Sequence, residues 1–222
     1  MINRIHVIGS GRVGSAVAAR LRERGIAVGA DEPELVLLCV PDAAIAEVAA
    51  TIVPGPWVAH VSGATPLAAL APHVRRFSVH PLQTFTRSRG AEQLDGAWAA
   101  VSHETDEAAT AAVWLAETLG LRPFELADDA RTLYHAGAVF ASNYVVTMQR
   151  AASLLFAAAG APPEALEPLM LRTVENGFEL TGPVARGDWP TVEAHRRAIH
   201  AQRPELESLY DTLALATAAL AT

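Results

Sequence analysis

Cysteine is nearly missing from this chain of 222 residues: Cys39 stands alone inside an apolar run. One thiol excludes an intrachain disulfide framework and any cysteine-based metal centre. Metal-ligand spacings are missing too. H-E-x-x-H does not occur, and His195 and His200 stand five apart on an expected helix, too poorly aligned to share a face. No metal site is expected. Neither G-x-S-x-G nor G-x-x-x-x-G-K is present, which removes the esterase elbow and the phosphate loop of nucleoside triphosphatases. Basic residues are outnumbered, 17 against 24 acidic ones, and a net charge of −7 argues against nucleic acid as a partner. Uncharged runs are short. The longest nearly uncharged segment, residues 132–161, is interrupted by Arg150 and stopped by Pro162, so a buried helix and no membrane span is expected there. A strand-like run starts within three residues of Met1, which leaves no room for a signal peptide and points to the cytoplasm.

What is present is a large apolar fraction, 51%, enough for a substantial core. Residues 4–8 read as a short strand. Over residues 12–24, Val13, Val17 and Leu21 recur every four positions, the mark of a helix with one apolar face. "LVLLCV", ending at Val40, is the continuous apolar run of a parallel strand buried on both sides. Asp42 is placed to cap the next helix, whose face is Ile45, Val48, Ala49 and Ile52. Further strands are expected at residues 57–61, 77–79, 97–101 and 122–126. The helices between them start at Thr65-Pro66 and run over residues 106–119, the latter stopped by Gly120. Strands alternating with helices imply an α/β, doubly wound parallel sheet. After Asp128-Asp129 no strand is visible. One long helix over residues 131–159 and shorter ones at 164–180, 191–202 and 205–220 imply an all-α second domain. The boundary therefore falls between a sheet domain, 1–127, and a helical domain, 128–222.

Chemistry-bearing residues gather at the ends of the strands. "VIGSGRVGSA" contains Gly9, Gly11 and Gly14 as G-x-G-x-x-G after a strand and opening a helix, where turn, close approach and helix–strand packing each favour glycine. With Ser10, Arg12 and Val13 it forms a candidate pyrophosphate site at a helix N-terminus. Val40 and Pro41, after the third strand, are candidates to line the dinucleotide crevice. Ser62 and His80 also follow strands, so they fall on the same sheet edge. Pro81 holds His80 extended, and an imidazole there either protonates a substrate oxygen or bonds local backbone. On the long helix His135 and Ser142 lie seven apart, sharing a face, with Asn143 beside it. Such a polar stripe needs either a polar cleft or satisfied core hydrogen bonds. The Gly- and Pro-rich stretch 180–191 carries Arg186, which either clamps a carboxylate or pairs with Asp188.

The order "GSGRVGSA", "VPDAAI", "HVSGA", "HPLQTF", "LYHAGAVFASNY", "ENGFELTGPVARGD" resembles a family of Rossmann-like proteins with a helical C-terminal domain, and it covers nearly the whole chain. Some members are alternative ketopantoate reductases that use NADPH. More distantly the layout is similar to the 6-phosphogluconate dehydrogenase-like group, which includes pyrroline-5-carboxylate reductase, prephenate dehydrogenase and hydroxyisobutyrate dehydrogenase. The resemblance implies that His80 matches the active-site His-Pro of prephenate dehydrogenases. It also implies that Asn143 matches the asparagine of the K-x-x-x-N of hydroxyacid dehydrogenases, although Val139 occupies the lysine position. Asn176, in the last of these stretches, joins Ser62, Ser142 and Arg186 as a candidate substrate contact. One departure stands out. Relatives carry a second strand and then a helix where this chain has only residues 25–33, room for a strand of four or five residues. The acid that grips the adenosine ribose is expected about 20 residues past the fingerprint, and Asp31, 17 after Gly14, is the candidate beside Glu32. No arginine in that segment can meet a 2′-phosphate, so Arg12 is the nearest guanidinium.

These readings imply an NAD(P)H-dependent reductase of a small carbonyl acid. NADP is the expected cofactor with NAD as the alternative, His80 or His135 the proton donor, Asn143 the carbonyl contact and Arg186 the carboxylate contact. An imine reductase and a non-catalytic nucleotide- or small-ligand-binding protein are the competing classes. The apolar surface of the long helix implies a homodimer through the helical domain.

Overall fold

In the computed structural model, which describes residues 2–221, the chain forms two compact units, one ending at Phe140 and the other beginning at Ala141. The change of sequence texture falls earlier, at 127/128. The difference is the helix that follows the last strand, whose first residue, Arg131, is buried against the sheet and so belongs to it.

The first unit runs β1 (Arg4–Ile8), α1 (Arg12–Glu23), β2 (Ala27–Val28), β3 (Leu35–Leu38), α2 (Ile45–Ala50), β4 (Trp57–His60), β5 (Arg76–Pro81), β6 (Trp98–His103), α3 (Asp106–Thr118), β7 (Arg122–Glu125) and α4 (Arg131–Ala141). Its seven strands form one sheet in the order β2-β1-β3-β4-β5-β6-β7, the α/β architecture expected. Every pairing is parallel except β5 with β6. Parallel neighbours need a crossover, usually a helix. Between β5 and β6 there is only a 3-10 turn, Ala91–Leu94, so β6 returns alongside β5 in the opposite direction.

Alternation along the strands divides the core in two. Leu35, Leu37, Ala59, Phe77, Val79, Ala99 and Val101 face α1 and α3, joining Val17, Leu21, Ala112 and Leu115. Val36, Leu38 and Val58 face α2 and a 3-10 turn at Leu67–Leu70, joining Ile45 and Ala49. One expected cap and one expected helix are not formed. Asp42 makes no capping hydrogen bond and opens a 3-10 turn, Asp42–Ala44, ahead of α2. The helix expected at Thr65-Pro66 is the 3-10 turn just named, and Thr65 is drawn instead into a turn around Ser62.

β2 is shorter than the four or five residues expected. It is bracketed by Gly25 and Gly29, both with positive φ (76° and 88°), and spans two residues. Its register pairs Ile5 with Val28, so it stops three residues before β1 ends at Ile8. At about 3.3 Å per residue, β2 falls roughly 10 Å short of the carboxyl edge of the sheet. The chain then doubles back: Glu32 accepts a hydrogen bond from Arg4 Nε on its carbonyl, and the Glu34 carboxylate accepts from the N–H groups of Asn3 and Arg4.

The second unit holds α5 (Asn143–Ala158), α6 (Leu166–Glu175), α7 (Trp189–Gln202) and α8 (Glu207–Leu220). The single helix expected over residues 131–159 is broken at Ser142, whose backbone (φ −128°, ψ −73°) leaves the helical region. α7 and α8 are tied by Arg196 with Asp211 (2.7 and 2.9 Å) and His195 with Tyr210 (2.9 Å). No helix among the described residues is long and apolar enough to cross a membrane.

Candidate functional site

The three fingerprint glycines are glycine for different reasons. A Cβ on Gly9 (φ 113°) would stand 2.3 Å from the Cys39 carbonyl oxygen, so β3 passes too close for a side chain. A Cβ on Gly14 would stand 2.0 Å from the Gly9 carbonyl oxygen, so the helix is pressed onto the turn. Gly11 has an ordinary backbone (φ −70°, ψ −170°), and a Cβ there would meet no protein atom within 4 Å. The fold demands glycine at Gly9 and Gly14. At Gly11 it does not, and a molecule seated on the backbone would. Gly11 precedes the 12-residue α1, whose N-terminus has no side-chain cap. Its first N–H groups are therefore available to an anion, and the helix dipole favours one.

The flanking candidates are placed as follows. The Ser10 carbonyl accepts from Ser15 Oγ (3.1 Å), and Val13 packs partly into the core. Val40 packs partly against the α2 core, and exposed Pro41 leads into the turn before α2. Cys39 is no nucleophile, because burial pushes its thiol up to about 12. Asp31 does not reach this edge, because β2 stops short and the chain turns back toward the start of β1. The ribose-gripping acid expected there is absent from the end of β2.

Two strands beyond β3, the opposite face of the sheet carries a second polar centre. β5 alternates Phe77 and Val79 into one core with Ser78 and His80 onto the other face, where α4 lies. Arg131, 1% exposed, donates to Ser78 Oγ (2.6 Å), Ser102 Oγ (2.8 Å) and the Ser62 carbonyl. That fixes the first turn of α4 on β5 and β6. One turn later Tyr134 OH meets His80 Nδ1 at 2.7 Å, and its ring packs edge-on against Phe124. His135 lies edge-on to His80 with ring centres 6.1 Å apart. Both imidazoles close over Gly63, where a Cβ would stand 2.7 Å from His135 Cδ2 and 2.9 Å from His80 Nε2. Gly63 is thus the floor on which the two rings meet.

Burial, helped by the charges of His135 and Arg131, lowers the His80 imidazole to about 4. Burial likewise holds the Tyr134 hydroxyl up at about 12. Near neutral pH both groups are uncharged and hydrogen-bonded to each other. His60, fully buried on β4, is pushed down to about 3 by burial and by Arg131. Its Nδ1 accepts from the Ser62 N–H (3.2 Å), and its Nε2 has no protein partner. Ser62 itself is committed to the turn. Its hydroxyl donates to Thr65 Oγ1 (2.9 Å) and accepts from the N–H groups of Ala64 and Thr65, which leaves no proton for a substrate.

Ser142, Asn143, Asn176 and Arg186 belong to the second unit. Ser142 Oγ donates to Asn143 Oδ1 (3.3 Å), and Asn176 ends α6. Asp188 makes no ion pair with Arg186. Its carboxylate caps α7, accepting from Thr191 N (3.2 Å) and Thr191 Oγ1 (2.7 Å). The residues that sequence reasoning missed are Arg131, Tyr134 and His60. The signal for Tyr134 was its place beside His135 in "LYHAG". Only the pairing of α4 with β5 reveals which of the two bonds His80.

The family model described as Domain of unknown function (DUF2520) matches residues 98–217, more than half of the chain. The chain belongs to that family. No curated protein matches the sequence. Among solved structures, a candidate NADP oxidoreductase from Bacteroides fragilis superposes with a TM-score of 0.83 at 23% identity, covering 98% of both chains. A Thermotoga maritima protein superposes with a TM-score of 0.76 at 23% identity and the same coverage. A semialdehyde dehydrogenase NAD-binding protein from Cupriavidus necator, solved with calcium and NAD, gives 0.62 at 19% identity, covering 96% of this chain and 99% of its own. At these identities the likeness is one of fold, a Rossmann-like sheet followed by helices.

Proposed function

We propose that this DUF2520 protein is an NAD(P)H-dependent reductase of a small carbonyl acid, with a 2-oxo acid such as ketopantoate as the first substrate to test. One observation carries the reading: a neutral imidazole, His80, is held by Tyr134 at the same carboxyl edge of the sheet as the glycine turn. Neighbouring strands lie about 4.8 Å apart, so the ends of β1 and β5, three strand steps apart, are separated by roughly 14 Å. That suits a ligand with one end on the turn and its other end beside His80. Open space over Gly11 and the uncapped start of α1 fit a dinucleotide pyrophosphate.

A bound nicotinamide supplies hydride to a carbonyl carbon. The protein's part is to hold the carbonyl oxygen and deliver a proton to it. Tyr134, kept protonated by burial, donates to His80 Nδ1, which places the ring proton on Nε2. Nε2 makes no hydrogen bond to a described residue and is free to donate to the substrate oxygen. As negative charge develops there, the Nε2 proton moves to it, Nδ1 takes the Tyr134 proton, and nearby Arg131 offsets the phenolate charge. His135, without such a partner, is the weaker donor. Every basic residue counted among the 17 is an arginine, so the lysine acid of the K-x-x-x-N enzymes has no counterpart anywhere in the chain.

The binding-protein alternative draws on the two-residue β2, which removes the usual ribose contact. Turnover separates the two. NADPH oxidation in the presence of ketopantoate, other 2-oxo acids or cyclic imines supports the reductase, and the class of substrate accepted separates carbonyl from imine reduction. Cofactor binding without turnover supports the alternative.

The reading includes a homodimer. Within the second unit the buried apolar residues are Leu166, Val192 and Ile199, and α5 and α8 bury none. Val146, Met148, Leu169, Leu171, Phe178 and Leu215 are all exposed. A unit of this size with so small a core is marginal alone, and a second copy of the chain is the partner that would cover it.

A further inference from the structure

A cavity of about 300 Å³ lies over the start of α1, and its second wall comes from the loop between β5 and β6. Three guanidinium side chains line it, Arg12 from the glycine turn and Arg87 and Arg89 from that loop, together with Ser10 and Ser15. No carboxylate lines it, in a protein that carries seven more acidic than basic groups. Arg12 and Arg87 make no ion pair among the described residues, while Arg89 sits 3.5 Å from Glu92. The loop is hydrogen-bonded from beneath. Gln93, 3% exposed, accepts from Thr86 N (2.7 Å) and donates to the carbonyls of Arg89 (2.9 Å) and Gly90 (3.0 Å). A buried glutamine that ties Thr86 to Arg89 and Gly90 shapes the loop carrying Arg87 and Arg89, and the glycine facing that loop has a missing Cβ that opens onto empty space, an arrangement suited to an anion.

We propose that Arg12 and Arg87, with Arg89 beside them, form a clamp for a phosphate group of the dinucleotide cofactor. This rests on the reductase reading for the identity of the ligand. The clamp supplies charge to the cofactor in a chain whose two-residue β2 offers no acid to its ribose. α1 offers its N–H groups to one side of the anion, and the 86–90 loop closes over the other. The phosphate is either the pyrophosphate, common to both nicotinamide cofactors, or the 2′-phosphate that NADPH alone carries.

The test is calorimetric titration of native protein, R12A and R87A with NADPH, NADH and inorganic pyrophosphate. Arg12 and Arg87 are exposed, so both variants should melt like the native protein. Each lost charge-assisted contact should weaken binding about ten- to hundredfold. Equal losses for NADPH, NADH and pyrophosphate assign the clamp to the pyrophosphate. A loss confined to NADPH assigns it to the 2′-phosphate. Native-like binding of all three ligands by both variants overturns the clamp, as does failure of the native protein to bind any of them. If the variants lose binding while no carbonyl substrate is ever reduced, the clamp stands and the reductase reading fails.

Discussion

Replacing each fingerprint glycine by alanine separates what the fold needs from what a ligand needs. At Gly14 the added Cβ lands 2.0 Å from the Gly9 carbonyl oxygen, more than an ångström inside normal contact. Forced backbone shifts of this kind cost about 1–3 kcal/mol, and about 2–4 °C of melting temperature per kcal/mol in a chain of this size. At Gly9 the Cβ meets the Cys39 carbonyl oxygen at 2.3 Å, and the positive φ adds roughly 1–2 kcal/mol. At Gly11 the Cβ meets nothing and φ is −70°. The cost there is that of alanine in place of glycine at an N-cap, about 0.5 kcal/mol. G11A should therefore melt within about 2 °C of the native protein. Its cofactor affinity should fall about ten- to hundredfold, because the methyl stands between the helix N-terminus and the pyrophosphate. Thermal unfolding and calorimetry on the three variants make the comparison. Native affinity in G11A, or a melting loss as large as that of G14A, would refute the assignment of Gly11 to a ligand.

Three further outcomes are expected. His60 and His80 have folded-state values near 3 and 4 against 6.5 when unfolded, so the stability from burying them neutral is complete above about 6.5 and is lost as pH falls toward 4 and 3. Urea unfolding should show about 2 kcal/mol lost per group between pH 8 and 5, H80N should roughly halve that slope, and a flat profile would contradict their burial. Y134F removes the bond to His80 Nδ1 and should lower kcat tenfold or more with cofactor affinity unchanged; unchanged kcat would take Tyr134 out of the proton path. Light scattering at micromolar concentration should report twice the 23.4 kDa chain mass, and a species of 23.4 kDa alone would reject the dimer.

The sheet was legible in the sequence because its strands are short apolar runs separated by one-faced helices. Ile5, Leu35–Leu38 and Phe77 all fall where that pattern puts them. The reversal of β6 was not, because "WAAVSH" reads alike in either direction and only the lack of a helix between β5 and β6 marks it. The glycine turn was legible as a motif, yet nothing local distinguishes Gly11 from Gly9 and Gly14. At Gly9 the difference is Cys39, which approaches the turn only when β1 and β3 pair, and at Gly14 it is the Gly9 carbonyl, brought close when the start of α1 packs onto the turn. His80 was visible through the proline after it. Tyr134 and Arg131 were not, because their partners on β5 lie more than fifty residues away. The break at Ser142 was hidden because "VFASNYVV" keeps an apolar, helix-forming texture through it.

The most direct test is NADPH oxidation, at high protein concentration, with ketopantoate and a panel of 2-oxo acids, comparing native protein with H80A. The expected result is turnover of at least one of these acids by the native protein. In H80A kcat should fall by roughly 10²-fold or more at unchanged cofactor affinity. Cofactor bound by the native protein with no acid reduced, or H80A turning over like the native protein, would contradict the assignment of this sheet edge to carbonyl reduction.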